Sequence, residues 1–116
     1  MANSILDDVK KVLGLDASYT VYDIDVIMHI NTAFGVLNQL GIGPDVGFSI
    51  SDNTAVWDDF TAGDVLLNMV KSAIYLRVRL LFDPPTTSYL IESMRKQLEE
   101  LEVRLNINRE YQLPAV

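Results

Sequence analysis

The chain contains no cysteine, which excludes disulfide staples and thiolate metal sites together. It contains one histidine, His29, so there is no second imidazole from which to build a histidine metal site. No apolar run approaches the roughly 20 residues that a membrane span needs. The opening segment MANSILDDVKK is acidic and amphipathic and lacks the basic start and apolar centre of a signal peptide. The phosphate-binding loop, the dinucleotide-binding glycine pattern and the nucleophile elbow are all missing from the sequence. Gly41-x-Gly43-Pro44 reads as a helix stop, because neither glycine precedes a new helix in the phosphate-cradling position. Basic residues are scarce in the first half: residues 1–60 hold nine carboxylates against Lys10 and Lys11. Residues 61–116 hold seven acids and seven bases, so the first half carries the whole net charge of −7. Such a chain repels the phosphate backbone, which disfavours direct DNA binding as a main role.

What is present is enough for one domain. The chain has 116 residues, 49% of them hydrophobic, and can bury a modest core. Four helices are expected. The first runs from about Ser4 to Leu13, with Ser4 or Asn3 as its cap. Asp7 and Asp8 lie near its start and Lys10 and Lys11 near its end, matching the helix dipole. Its apolar stripe is Ile5, Val9, Val12 and Leu13, and Gly14 stops it. The second runs from Val21 or Asp23 to Leu40, with Thr20 and Asp23 resembling a capping box. Its stripe is Ile24, Ile27, Ile30, Phe34, Leu37 and Leu40, with Val26 and Ala33 widening the face, and it is expected to be central. The third runs from Thr61 or Gly63 to Phe82 along Val65, Met69, Ala73, Leu76 and Leu80, with Leu66, Val70, Ile74, Leu81 and Phe82 widening the face. Two prolines after Asp83 cannot continue a helix. The chain must turn there, and a fourth helix follows from Thr87 or Ser88 to Asn106 or Asn108. Its Ile91, Met94, Leu98, Leu101 and Leu105 follow the spacing of close helix–helix packing.

Residues 41–60 are of another kind. Gly41, Gly43, Pro44 and Gly47 break helix repeatedly, and two short β-prone runs flank Ser51–Thr54. The expected fold class is therefore all-α: a small bundle of about four helices with a glycine-rich loop or short β-hairpin between helices two and three. Phe48, Ile50 and Trp57 in that arm need something to pack against, either the chain's own core or a neighbouring subunit. Residues 1–108 make the bundle domain, and residues 109–116 a C-terminal tail, flexible or partner-binding.

No residue set points to catalysis. Asp7-Asp8, Asp23 with Asp25, and Asp58-Asp59 are better explained as caps and turn residues than as a cation loop, since Asp52–Asp59 lacks the glycine and terminal glutamate of an EF-hand. Arg77, Arg79, Arg95, Lys96, Arg104 and Arg109 are expected to pair with Glu99, Glu100 and Glu102 rather than to face DNA. No catalytic residue, cofactor or metal is expected, and the protein is not expected to be an enzyme.

The segments SILDDVKKVLGL, DIDVIMHINTAFGVLNQLGIGP, the loop ending in WDDF, and above all YLRVRLLFDPPTTSYLIESMRKQLEELEVRLN give the chain a resemblance to the head–tail connector (adaptor) proteins of long-tailed bacteriophages and prophages. The resemblance implies a structural virion neck protein. It implies a homo-oligomeric ring, dodecameric on the portal protein, that extends the DNA channel and docks a downstream neck or tail-completion protein. Packaged DNA would pass through without sequence-specific binding, no membrane is involved, and the host cytoplasm holds the protein before assembly. Carried onto this chain, Phe48, Ile50, Val56 and Trp57 of the arm, with Tyr111 and Leu113 of the tail, are the candidate interface residues. Two alternatives stay open: another small phage morphogenesis factor, for tail completion or packaging, and a prophage DNA-binding or DNA-mimicking regulator. The second would need a basic recognition helix, and the helix ending at Phe82 is too apolar for a groove.

Overall fold

The structure, a computed structural model, describes residues 4–44, 46–60 and 67–112, with side chains to residue 107. Five helices follow one another: α1 (Ile5–Val12), α2 (Asp23–Gln39), α3 (Trp57–Phe60), α4 (Leu67–Phe82) and α5 (Ser88–Gln112). The fold is all-α, and no strand occurs among the described residues. The expected helix start at Thr61 or Gly63, and Val65 and Leu66 of its stripe, lie outside the described residues, as does Leu113. Tyr111 and Arg109 are described in backbone only.

The Ser4 hydroxyl accepts the amide of Asp7 and so caps α1. Both α1 and α2 end in the same two-bond stop. The Leu15 amide reaches the Lys10 carbonyl and the Gly14 amide that of Lys11; Ile42 and Gly41 repeat this on Leu37 and Asn38. Each glycine has φ near +80°, the left-handed conformation this stop requires. The expected Thr20–Asp23 capping box does not form: the start of α2 has no side-chain cap, because the Asp23 carboxylate turns to Lys10 instead.

α4 occupies the centre, packed against α1, α2 and α5. Its buried face is Val70, Ala73, Ile74 and Val78, while Met69, Leu76 and Leu80 are only partly covered, so its core stripe is rotated from the expected one. On α2 the covered arc is narrower than the expected face. Val26, Ile30, Ala33, Phe34 and Leu37 are buried, but Ile24, expected inside, is 82% exposed. In α1, Leu6 joins Ile5 and Val9 in the core, and Val12 is 44% exposed. The turn after Phe82 folds α5 back along α4, and Arg77 of α4 donates to Glu102 of α5 across the pair. Leu98 and Leu105 are the buried points of α5, which continues to Gln112, past the expected end.

The glycine-rich segment is a pinned loop rather than a hairpin. Asn31 of α2 brackets Ile50: its amide nitrogen donates to the Ile50 carbonyl at 2.9 Å, and its oxygen accepts the Ile50 amide at 2.7 Å. Asn38 donates to the Pro44 carbonyl. Where the loop returns, the Ile5 amide bonds to the Ala55 carbonyl and Ser4 forms a single antiparallel bridge with Val56. Phe34, Phe48 and Phe60 close the packing, with ring centroids 4.8 to 5.4 Å apart.

Candidate functional site

Of the expected interface residues in the arm, Ile50 is 5% and Trp57 3% exposed, both within the protomer's own core. Phe48 and Val56 are half-buried, Phe48 against the same core. Trp57 is held from three sides. Its indole nitrogen donates to Asp8 Oδ2 at 2.8 Å, Tyr75 meets it edge-on at 6.1 Å, and Lys71 Nζ lies 5.2 Å from its ring centroid. Burial, and then the Asp8 carboxylate, push the Tyr75 hydroxyl up to about 12. The alternation of apolar and polar residues in the arm left its direction open. What settles it is Asn31 and Asn38, which tether the loop inward and which nothing in their sequence context singles out.

Several of the carboxylates have structural partners. Asp8 serves Trp57, and Asp59 accepts the Val56 amide ahead of α3. The Thr54 hydroxyl and then its amide hold the Asp52 carboxyl below its ordinary value. For Asp16 the Ser18 amide leads, followed by the hydroxyl. Among the described residues, no group of three or more metal-ligating side chains converges. Of the basic set, Arg77 pairs with Glu102 and Arg104 with Glu100 at 2.6 Å, as expected, while among the described residues Arg79, Arg95 and Lys96 form no such pair with Glu99, Glu100 or Glu102.

Lys10 is the charged residue that sequence reasoning missed. It looks like a dipole-matched last-turn lysine, yet it is 1% exposed. Its Nζ donates to the Ala17 carbonyl at 3.0 Å and lies 2.8 Å from Asp23 Oδ1, an ion pair outside hydrogen-bonding angles. It fastens α1, the 13–22 connection and the start of α2 to one another.

Several surface concavities remain among the described residues. A groove of about 500 Å³ runs between α4 and α5 beside Tyr75, Leu76, Leu101 and Arg104. A cleft of about 460 Å³ lies where α2 begins and α4 ends, lined by Tyr22, Asp25, His29, Leu81, Phe82 and Asp83. His29 meets Phe82 edge-on there at 6.3 Å. No helix among the described residues is long and apolar enough to cross a membrane.

Fold and surface define a small all-α scaffold, many of whose polar groups serve caps, turns and helix pairing. Residues 5–112 match the family model described as phage connector protein, and the chain belongs to that family. At that level it is a structural component of a phage particle. No curated protein and no solved structure gave a match.

Proposed function

We propose that the chain is a subunit of a ring between the portal and the tail components of a phage particle, where it extends the DNA channel and docks the next neck or tail-completion protein. The observation that carries this reading is the connector-family match over residues 5–112, which spans the helical hairpin around Asp83-Pro84-Pro85. In this reading the ring is homo-oligomeric, dodecameric on the portal, and assembles from subunits held in the host cytoplasm. The net charge of −7 suits a wall past which packaged DNA slides without specific contact. Residues 1–108 serve as the bundle, and residues 109–116 as a contact tail. Tyr111 and Leu113, with the half-buried Phe48 and Val56, are the proposed subunit contacts. Ile50 and Trp57 act through the fold, by anchoring the loop.

The test is assembly on purified portal protein, followed by light scattering and electron microscopy. The expected result is a small species alone and a ring on the portal. A strict monomer that ignores portal and retards duplex DNA would overturn the reading. Tyr111→Asp with Leu113→Asp should keep the helical circular dichroism and abolish the ring. Deleting residues 47–57 should instead collapse the fold, because it removes Ile50 and Trp57 from the core.

A further inference from the structure

The end of the bundle where α2 starts and α4 finishes bears apolar side chains that the protomer leaves uncovered. Ile24 is 82%, Val21 69% and Met28 56% exposed, spaced about a turn apart. A stretch of exposed apolar surface of this kind marks a contact with another molecule. Beside it opens the cleft of about 460 Å³ described above. Phe82 joins its two sides, with Tyr22 edge-on at 5.5 Å and His29 at 6.3 Å. Asp25 and Asp83 sit on the same cleft, both exposed, and neither has an ion-pair partner among the described residues. Asp25 in the first turn of α2 complements that helix's dipole. Asp83 does the opposite: it follows the last residue of α4, where the dipole already places negative charge. A cation in the cleft would offset both Asp83 and the α4 terminus.

We propose that this cleft and its apolar rim dock a segment of a partner protein that presents an arginine among apolar residues. The charge complementarity is specific to a cation, since two carboxylates and the aromatic rings of Tyr22 and Phe82 border one space. A guanidinium fits better than an ammonium, because it stacks on rings and forks between carboxylates at once. The rim extends the site beyond the cleft along α2, where a free small cation has nothing to bind and flanking apolar side chains of a polypeptide do. A second copy of this chain is the poorer occupant, because it brings a further net charge of −7 to an acidic surface. The proposal stands apart from the ring reading, and its test uses the soluble chain alone.

The probe is a capped peptide, Gly-Leu-Arg-Leu-Gly amide, titrated into the isotope-labelled chain and followed by amide chemical shifts. Its counterpart carries citrulline, a neutral isostere, in place of arginine. Shifts are expected to centre on Tyr22, Asp25, His29 and Asp83 and to saturate at about millimolar peptide. The citrulline peptide should bind at least about tenfold more weakly, and Asp25→Asn with Asp83→Asn should weaken the arginine peptide by a similar factor. Both aspartates are exposed, so an unchanged amide dispersion in the double variant certifies its fold. Equal binding of the two peptides, undiminished binding to the double variant, scattered shifts or none at all would each overturn the proposal. So would movement of the same amides on diluting the chain without peptide, which would assign the surface to a second copy.

Discussion

Adding one methyl group to each of three glycines should produce three different outcomes, with the size of each set by the local geometry. Gly43 has φ +89°, and a Cβ there would lie 2.5 Å from Phe60 Cε1 and 2.6 Å from Cζ. Phe60 cannot swing away cheaply. It is 5% exposed, with Phe34 and Phe48 at centroid distances of 4.9 and 5.4 Å. Gly43→Ala therefore incurs a left-handed backbone cost of about 1 kcal/mol and an overpacking cost of about 2 kcal/mol. Gly14 has φ +80° and nothing within 4 Å of its Cβ position, so Gly14→Ala should cost only the backbone share, about 1 kcal/mol. Gly35 lies inside α2 without positive φ and also meets nothing within 4 Å. There alanine should stabilise by about 0.5–1 kcal/mol through helix propensity and a less free unfolded chain. Urea unfolding measures all three, read by circular dichroism and by the fluorescence of Trp57, the single tryptophan and 3% exposed. In heat denaturation each 1 kcal/mol corresponds to roughly 4 °C. If Gly43→Ala and Gly14→Ala fall within about 0.5 kcal/mol of each other, the three-ring packing yields freely and the account of a tightly pinned loop is wrong.

Lys10→Met keeps the buried stem but leaves the Ala17 carbonyl and Asp23 Oδ1 without their cation. Because the Asp23 side chain is 25% exposed, the loss in urea unfolding should be about 2 kcal/mol, below the range for a fully buried pair. Ultraviolet titration should show a tyrosine ionising near pH 12, and Tyr75→Phe should remove that step. Above the unfolded value near 10 the unfolded chain releases this proton first, so stability should fall as pH climbs from about 10 towards 12. A double-mutant cycle on Arg77 and Glu102, whose side chains are 26% and 19% exposed, should give a coupling of about 1 kcal/mol. The same cycle on the exposed Arg104 and Glu100 should give about 0.3–0.5 kcal/mol, and less in high salt.

The helices and the double-proline turn were legible because each rests on local chemistry. Ser4 caps, Gly14 and Gly41 stop, and Pro84-Pro85 forbid continuation, whatever the tertiary context. The facing of the helices was less legible. Ile24 and Ile30 satisfy the same apolar spacing, but only tertiary packing decides where the covered arc ends, and it ends before Ile24. The direction of the arm is not legible for a related reason. Its aromatics are equally suited to an internal plug and to a partner contact, and the choice depends on two asparagines half a helix apart on α2. Lys10 escaped because a last-turn lysine has a sufficient local explanation, and burial is invisible until the connection through Ala17 closes over it.

The over-long apolar pattern of α2 has its own consequence. Residues 26–44 contain no aspartate, glutamate, lysine or arginine, although Met28, Thr32, Gly35 and Gln39 face solvent. An outward helix face in a chain of net charge −7 would ordinarily carry charge for solubility. Thr32 does not supply a free polar group either, since its hydroxyl donates back to the Met28 carbonyl at 3.0 Å. Helix propensity gives no reason for Gly35, and no neighbour in the protomer approaches it. A face that is uncharged, small in its middle and apolar at its start is one that a second surface can approach closely. The misfit between the sequence stripe and the protomer core therefore carries information. The apolar positions that the protomer does not bury, Ile24 and Met28, belong to the rim proposed above to dock a partner segment.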